Sequence, residues 1–473
     1  MAPTITTLNP ADGSRLAEYP THSPEELDAL LDAAVAAADV WRDTSLAARG
    51  ELLRALGGLL AERRETYAAL ITAEMGKPLA EAAAEIDKCA ASCAMVADLA
   101  PGWLADEEVD TPARRSWITY TPLGVVFAVM PWNFPFWQVV RFACAAFAAG
   151  NAAVLKHSPN VTGCALALEE VIRDAAAAVG APADLLRTVL IAEPDVPAVV
   201  PGLLADDRVA AATLTGSERA GAAVGGAAGA ALKKVVLELG GSDPFVVLDD
   251  ADLAFAADAA IRSRFGNSGQ SCIAAKRLIV SESVADEFVA LLGERIAALV
   301  GGDPTDPATT IGPMARDDLR AGLHAQVRAT IDEGAILVAG GDLVPGPGFH
   351  YAPTLLDHVR PEMTAAREET FGPVAVVIRV TDDAAAVAVA NDTAYGLGAS
   401  VWSASDRGLA VGSRINSGAL FVNAVVASDA RIPFGGIGRS GHGRELGVLG
   451  VREFANARTV WVGDGTALPA IAE

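Results

Sequence analysis

The sequence is poor in cysteine and in positive charge. It has five cysteines among 473 residues, an odd number that does not suit a framework of disulfides. Its 59 acidic residues against 36 lysines and arginines give a formal net charge of −23. A chain with this excess of negative charge has no general attraction for nucleic acid or for an anionic membrane surface. Neither class of partner is therefore expected.

The sequence also lacks the usual marks of secretion, membrane insertion and metal binding. Its start, MAPTITTLNPADGS, does not combine a basic segment with an apolar one. The uncharged segment 116–140 contains three prolines, which a lipid-exposed helix tolerates poorly. Neither the histidines nor the cysteines have zinc-ligand spacing. We therefore expect a soluble, cytoplasmic protein with no metal site.

The order of the apolar segments predicts an α/β fold. A helical, alanine-rich region comes first, and RRSWITYTPLGVVFAVM then predicts two strands. After Leu123, short β-rich segments such as AAVLKHS, AATLTGS and KKVVLELGG alternate with helical ones, which is typical of parallel strands joined by helices. A second series, from RLIVSES to GALFVN, follows Gly240–Gly241. Because the chain is too long for one compact core, we predict at least two lobes.

Cys272 lies in unusual surroundings for a structural cysteine. The ordinary interpretation of a lone cysteine is a small buried hydrophobic group. Here the preceding segment 267–271, NSGQS, consists of poor core formers. A thiol at such a turn can lie at a helix N-terminus, which lowers its pKa from about 8.5 and favours the nucleophilic thiolate. Cys272 is therefore a candidate nucleophile.

Two further polar residues stand within apolar segments. Glu238, in VVLELGG, either points to solvent from an alternating strand or is a general base with a raised pKa. Asn133, in MPWNFPFWQ, either forms a turn or donates a hydrogen bond to an oxyanion. No histidine is placed as the partner of a cysteine nucleophile. The segment GIGRSG at 436–441 matches a dinucleotide fingerprint, but no clear strand precedes it, so we predict a glycine-rich loop.

Six segments, in the same order, resemble motifs of the NAD(P)-dependent aldehyde dehydrogenases. They are PWNFP (131–135), LTGSERAG (214–221), LELGG (237–241), GQSC (269–272), EETFGPV (368–374) and PFGGIGRSGHGRE (433–445). The resemblance covers nearly the whole chain. Within the family it is strongest to bacterial succinate-semialdehyde dehydrogenases, in LKHSPNVTGCA, LELGGSDPFVVLDDADL and ASDARIPFGG.

The resemblance implies an aldehyde dehydrogenase-like fold of three parts. A Rossmann-type cofactor domain would occupy residues 1–103 and 123–239, with a return at 431–453. An α/β catalytic domain would occupy 240–430. A small β extension, formed by 104–122 and 454–473, would join subunits into a homodimer or homotetramer.

The resemblance also implies a role for individual residues. Cys272 would attack the aldehyde carbon, while Asn133 and the backbone N–H of Cys272 hold the oxyanion. After hydride transfer to NAD or NADP, Glu238 would activate the water that hydrolyses the thioester. The implied cofactor-binding residues are Trp132, Lys156, Ser158, Gly216, Ser217, Leu239, Glu369 and Phe371. The implied residues for a substrate carboxylate are Arg141 and Ser428, with Arg264 and Arg431 as nearby candidates.

Three positions depart from the pattern of these relatives. Gly266 stands where some members carry a second arginine for the substrate, which keeps open a dehydrogenase for another small aldehyde. Ala274 replaces a second cysteine, so no redox switch is expected there. Pro159 replaces a glutamate of NAD-preferring relatives, so the cofactor preference stays open. A cofactor-independent thiol esterase and a non-catalytic binding protein are the alternatives of other classes.

Overall fold

The computed structural model describes residues 3–465, in which the strands form four sheets. The strands are β1 (Thr4–Leu8), β2 (Arg15–Pro20), β3 (Glu107–Glu108), β4 (Arg115–Pro122), β5 (Val125–Met130), β6 (Ala152–His157), β7 (Leu186–Thr188), β8 (Val209–Thr215), β9 (Lys234–Glu238), β10 (Pro244–Val247), β11 (Arg277–Ser281), β12 (Ile336–Ala339), β13 (Thr354–Asp357), β14 (Val374–Val380), β15 (Gly398–Trp402), β16 (Ala419–Val422), β17 (Gly441–His442) and β18 (Ala455–Val462).

Helices precede, separate and follow these strands. They are α1 (Pro24–Trp41), α2 (Leu46–Glu62), α3 (Arg64–Met75), α4 (Leu79–Trp103), α5 (Trp137–Ala148), α6 (Thr162–Val179), α7 (Val196–Ala205), α8 (Glu218–Ala230), α9 (Leu253–Phe265), α10 (Glu282–Ala297), α11 (Asp317–Asp332), α12 (Thr364–Arg367), α13 (Asp383–Asn391), α14 (Arg407–Gly412) and α15 (Gly447–Glu453). Among residues 3–465, no helix is long and apolar enough to cross a membrane.

A six-stranded sheet forms the first lobe, in the order β17-β9-β8-β5-β6-β7. All neighbours in it are parallel except the short edge strand β17, which pairs antiparallel with β9. The predicted glycine-rich loop supplies this edge strand, so GIGRSG is not a dinucleotide fingerprint. Ligands of open α/β sheets bind at the carboxyl ends of the strands. Asn133 follows that end of β5, and Glu238 closes β9.

A seven-stranded sheet forms the second lobe, in the order β12-β13-β14-β11-β10-β15-β16. Only β12 is antiparallel to its neighbour. The predicted mixture of parallel strands and helices is confirmed, although β13 and the N-terminal hairpin β1–β2 were not predicted. Gly240–Gly241 lies between β9 and β10, the last strand of one series and the first of the other. The full domain bounds stay a prediction.

A three-stranded sheet, β18-β4-β3, extends from the first lobe. Its strands β4 and β18 pair antiparallel over their full length, from Ala455 opposite Pro122 to Val462 opposite Arg115. Most side chains of β18 are exposed, and Trp461 retains 45% of its accessible surface. Residues 466–473 of the predicted extension lie outside the described residues.

A buried ion pair fixes the start of α5. Lys77 and Glu85 form this pair with about 1% of each side chain exposed. Glu85 also accepts hydrogen bonds from the backbone N–H groups of Phe136 and Trp137, both at 2.9 Å. Such N–H groups have no partner within their own helix. Glu85 thereby positions α5, the helix that follows Asn133.

We expect Lys77→Met to lower the free energy of unfolding by about 3–5 kcal/mol, because it leaves the Glu85 carboxylate buried without a cation. Urea denaturation followed by circular dichroism measures the loss. The matched control is Arg54→Met, which breaks an ion pair with Asp98 whose side chains are 52% and 67% exposed. It should cost no more than about 1 kcal/mol. Similar losses for both variants would contradict a structural role for the buried pair.

Candidate active site

Cys272 lies where two cavities meet. The larger, of about 500 Å³, is lined mainly by α4, α5 and the segments 261–267 and 425–434. The smaller, of about 230 Å³, lies against the carboxyl ends of β5, β8 and β9. We call them the wide cavity and the narrow cavity. Cys272 lines both, so molecules bound in the two cavities can reach the same thiol.

The predicted helix N-terminus at Cys272 is wrong. The residue follows a turn, Gly266–Gly269, and the next regular element is the strand β11. Burial raises the pKa of the Cys272 thiol to about 11, and the charges of Lys276 and Arg141 only partly oppose this effect. The neutral thiol is therefore the resting form at pH 7, and a base has to remove its proton before attack.

The turn before Cys272 is held in a strained conformation. Asn267 and Ser268 have φ angles of 56° and 53°, which are costly for residues other than glycine. The amide Nδ2 of Asn267 donates to the carbonyl oxygens of Asn133 and Gln270, at 2.9 and 3.0 Å. These bonds fix the nucleophile turn against the segment that carries Asn133.

Arg264 supports the same turn from the second lobe. Its side chain is fully buried, and its guanidinium donates to the carbonyl oxygens of Gly269 at 3.1 Å and Thr370 at 2.9 Å, as well as to those of Gly372 and Val374. Arg264 does not line the wide cavity. A substrate-binding role for Arg264 stays a prediction that this geometry does not favour, because the backbone carbonyl groups take up its donors.

Lys276 connects the nucleophile with the predicted cofactor glutamate. Its Nζ donates to the carbonyl oxygens of Cys272 at 2.7 Å and Ser271 at 3.0 Å. The same Nζ lies 3.0 Å from Oε1 of Glu369, and this oxygen also accepts the N–H of Gly241 at 3.1 Å. Sequence reasoning missed Lys276, whose only signal was a lysine within the apolar segment after Cys272.

Asn133 is close to the nucleophile and almost fully buried. It lines the narrow cavity with Cys272. Its Nδ2 donates one hydrogen bond, to the carbonyl oxygen of Gln270 at 3.1 Å, and an amide nitrogen has two hydrogens. Within residues 3–465, the backbone N–H of Cys272 donates to no protein group. Two donors beside the thiol are therefore available to an oxyanion.

Glu238 is buried at the end of β9, and its carboxylate oxygens accept no hydrogen bond from the described residues. Burial, followed by the negative charge of Glu445, raises the pKa of Glu238 well above its usual value, against the smaller opposing effects of Arg141 and Arg444. An added Cβ on Gly435 would lie 2.6 Å from Oε1 of Glu238. In this rotamer Glu238 faces Gly435 and lines neither cavity.

Arg141 lines the wide cavity, but its charge is already paired. It forms an ion pair with Glu445, in which both side chains are about 98–99% buried. It also donates to Oγ1 of Thr215 at 3.3 Å. Sequence reasoning did not identify Glu445, although it ends the PFGGIGRSGHGRE motif. A role for Arg141 at a substrate carboxylate stays a prediction. The Glu445 carboxylate would compete with the substrate carboxylate for the Arg141 guanidinium.

Of the other two predicted substrate residues, only one lines the wide cavity. Ser428 is half-buried, lines the wide cavity and accepts a hydrogen bond from Lys88. Arg431 is 65% exposed, pairs with Asp429 at 2.6 Å and does not line the cavity. Arg431 is therefore not placed to bind a molecule beside Cys272.

The narrow cavity brings most of the predicted cofactor residues together. Its walls include Trp132, Gly216, Ser217, Leu239, Glu369 and Phe371. The rings of Trp132 and Phe371 meet edge to face at 5.7 Å. Ser217 caps α8, its Oγ accepting the N–H of Ala220 at 3.3 Å. A helix N-terminus at the carboxyl ends of parallel strands is suited to a pyrophosphate, so these residues fit a dinucleotide.

Lys156 and Ser158 lie at the end of the neighbouring strand β6, outside the narrow cavity. Burial lowers the pKa of Lys156, and the carboxylate of Glu193 opposes this shift. Ser158 donates to Oδ1 of Asn160 at 2.7 Å. Both residues extend the row of predicted cofactor residues along the carboxyl edge of the six-stranded sheet.

Comparison with known proteins identifies the family to which this arrangement belongs. The model of the aldehyde dehydrogenase family matches residues 2–460. The chain belongs to the aldehyde dehydrogenase family. As a member, it is an NAD(P)-dependent enzyme that oxidises an aldehyde to the carboxylic acid.

Several relatives of this aldehyde dehydrogenase have a named substrate. The chain is 49% identical to a probable succinate-semialdehyde dehydrogenase [NADP(+)] of Synechocystis sp., over 97% of this chain and 99% of the relative. It is 45% identical to a succinate semialdehyde dehydrogenase [NAD(P)+] of Escherichia coli, over 96% and 97%. The crystal structure of succinic semialdehyde dehydrogenase from Streptococcus pyogenes with NADP+ superposes with a TM-score of 0.93 at 34% identity, covering 97% of this chain and 100% of that one.

We expect alkylation of Cys272 by iodoacetamide to accelerate about tenfold per pH unit from pH 7 to pH 10, because only the thiolate reacts. A thiol pKa of about 11 keeps the thiolate fraction rising throughout this interval. Mass spectrometry of the cofactor-free enzyme measures the rate. The other four cysteines are buried, and Cys272→Ala gives their background. A rate that levels off near pH 8 would contradict the raised pKa.

Proposed function

We propose that this aldehyde dehydrogenase oxidises succinate semialdehyde to succinate, with NADP or NAD as cofactor. The observation that carries the proposal is the position of Cys272 between the narrow cavity, which fits a dinucleotide, and the wide cavity, which contains cationic side chains. The wide cavity is lined by four cations and two carboxylates, and its lining is therefore positive in sum: Lys77, Lys88, Arg141 and Arg262 against Glu81 and Glu85. In a chain with a net charge of −23, cations beside the nucleophile favour an aldehyde that carries a carboxylate.

In the first step, the Cys272 thiol gives its proton to solvent water, and the sulfur attacks the carbonyl carbon of the aldehyde. The developing oxyanion accepts hydrogen bonds from the free N–H of the Asn133 amide and from the backbone N–H of Cys272. Lys276 holds the Cys272 carbonyl group, so the thiol and its N–H keep their orientation while the thiohemiacetal forms. Such preoriented donors stabilise charge at the moment it develops.

When bound, a nicotinamide cofactor would supply the hydride acceptor that the conversion of the thiohemiacetal to an acyl thioester on Cys272 requires. Trp132, Ser217, Glu369 and Phe371 would hold the nicotinamide half in the narrow cavity. Lys156 and Ser158 would hold the adenosine half along the sheet edge. This division leaves the wide cavity free for the rest of the substrate.

Glu238 serves as the base for the second half of the reaction. Its carboxylate takes a proton from water as the water attacks the thioester, and it returns this proton to the departing sulfur, which releases the carboxylic acid and the Cys272 thiol. A raised pKa makes a carboxylate a stronger proton acceptor near neutral pH. To act, the side chain turns from Gly435 toward the thioester.

Charges at the predicted ribose site support the use of both cofactors. Pro159 supplies no carboxylate there, but Glu193 lies close enough to Lys156 to influence its pKa. Arg316 lies 3.4 Å from Glu193 and pairs more closely with Asp318, at 2.9 Å. The two cations Lys156 and Arg316 match the two carboxylates Glu193 and Asp318, so these four groups carry no excess of negative charge that would repel a 2′-phosphate.

The extension β18-β4-β3 is proposed to join subunits of a homodimer or homotetramer. The exposed side chains of β18 and the unpaired edges of this sheet offer a surface for another chain. A cytoplasmic location is proposed with it, in keeping with five free cysteines in the described structure.

We expect succinate semialdehyde to exceed butyraldehyde at least about a hundredfold in kcat/KM, a difference of about 2.7 kcal/mol. The assay is NADPH or NADH formation by the purified enzyme with each cofactor. Cys272→Ala should abolish the signal with both aldehydes. Equal values for the two aldehydes would refute succinate semialdehyde as the substrate and favour another small aldehyde. Cofactor-independent hydrolysis of an activated ester, with no oxidation of either aldehyde, would favour a thiol esterase.

Glu238→Gln should separate the two half-reactions. Because the amide cannot accept the water proton, we expect steady-state kcat to fall by about 10²–10⁴-fold. Attack and hydride transfer persist, so stopped-flow absorbance should still record a burst approaching one reduced cofactor per active site. Loss of the burst together with the steady-state rate would place Glu238 in the first half-reaction instead.

A further inference from the structure

We propose that Lys88 is the residue that binds the carboxylate of the substrate, together with Ser428. This inference rests on the proposed function, because it specifies how an aldehyde with a carboxylate would be selected. Lys88 lies on α4, far in sequence from every motif of the nucleophile and the cofactor site. Its role is one of substrate selection and leaves the chemistry at Cys272 to the residues already described.

The geometry around Lys88 is that of a built site. Its Nζ donates to Oγ of Ser428 at 2.6 Å and lies 4.3 Å from the ring centroid of Trp137. Lys88, Ser428 and Trp137 all line the wide cavity with Cys272. The hydrogen bond and the aromatic face fix the ammonium group in place, and two of its three hydrogens remain for another acceptor.

The other cations of the wide cavity are less suited to the task. Lys77 is paired with Glu85, and Arg141 with Glu445. Arg262 has no ion-pair partner within residues 3–465. Arg262 and Lys88 are both exposed, but within that range only Lys88 is oriented by a side-chain hydrogen bond and an aromatic ring. Lys88 therefore combines an unneutralised charge with a fixed position.

The cavity also has space for the ligand. Gly266, where relatives can carry a second arginine, lines the wide cavity, and a Cβ added to it would meet no atom within 4 Å. The absence of a side chain at Gly266 therefore leaves open volume in the wide cavity. A cation entering from α4 compensates for one that is absent from the turn before Cys272.

Lys88 can also gain or lose its charge near neutral pH. Lys88 is exposed over part of its surface, yet partial desolvation of its ammonium group, followed by the positive charge of Arg141, lowers the pKa of Lys88 to about 8, while Cys89, Glu85 and Asp429 oppose the shift. The ammonium form predominates at pH 7 and the neutral amine at pH 9. A substrate carboxylate should therefore bind more weakly as the pH rises through 8.

The test measures selectivity, defined as kcat/KM for succinate semialdehyde divided by kcat/KM for butyraldehyde. The ratio cancels the titration of groups that serve both aldehydes. For the wild type we expect it to fall about tenfold from pH 7 to pH 9, as the charged fraction of Lys88 falls. Lys88→Met should lower it about thirtyfold at pH 7, mainly through the KM of succinate semialdehyde.

Lys88→Arg is the decisive variant, because arginine keeps its charge over this range. It should retain most of the selectivity at pH 7 and lose the decline toward pH 9. The matched control is Lys234→Met, which removes an ammonium group paired with Glu453 outside the cavity. Its ratio should follow that of the wild type at both pH values.

The outcomes separate the two proposals. A wild type without preference for succinate semialdehyde overturns the proposed function. A wild type with the preference, and a Lys88→Met variant that keeps it, overturns only the role of Lys88. A loss of selectivity in Arg262→Gln in place of Lys88→Met would also overturn the role of Lys88. If Lys88→Met does not fold, an unchanged pH decline in Lys88→Arg refutes the role.

Discussion

The active site depends on one guanidinium group that stands between two buried carboxylates. Arg141 pairs with Glu445 and lowers the cost of the negative charge on Glu238. The three residues come from α5, the return segment before α15 and the end of β9. Removing one partner of a buried pair leaves an uncompensated charge, which is far more costly than the pair itself is stabilising. Arg141 is therefore held by the charge balance of the site, whatever the substrate is.

The nucleophile is positioned by cationic side chains of the second lobe that bind backbone carbonyl groups. Arg264 binds carbonyl groups of the turn before Cys272 and of the segment 370–374. Lys276 holds the Cys272 carbonyl group and the Glu369 carboxylate at once. As a result, the Cys272 thiol and the narrow cavity, which fits the cofactor, are held in place by the same residues. This arrangement serves a reaction in which hydride leaves a carbon that is bonded to the Cys272 sulfur, since small displacements reduce such rates strongly.

The alternation of apolar strands and helices predicted the α/β fold, because buried parallel strands consist of short, contiguous apolar segments that are visible in the local sequence. The resemblance to family motifs predicted Cys272, Asn133 and most residues of the narrow cavity, because each of them lies within a short contiguous segment of the chain. Local sequence does not show which side chains meet across the fold. Lys88 and Ser428 are 340 positions apart, and Arg264 is consumed by carbonyl groups more than 100 positions away. The thiol pKa was predicted in the wrong direction because burial outweighs the nearby cations.

An anionic substrate in an acidic protein requires that positive charge be local and not already neutralised. Surface charges are screened within about 10 Å at 0.1 M salt, so the net charge of −23 acts mainly on approach. Inside the wide cavity, the Lys77 and Arg141 charges are taken up by Glu85 and Glu445. What attracts a carboxylate there is the ammonium of Lys88, kept partly dehydrated and beside Arg141. Desolvation and the nearby positive charge of Arg141 make the Lys88 ammonium unfavourable without a ligand, and a bound carboxylate offsets both effects. The lowered pKa of Lys88 and the selectivity for an anionic aldehyde therefore have the same physical origin.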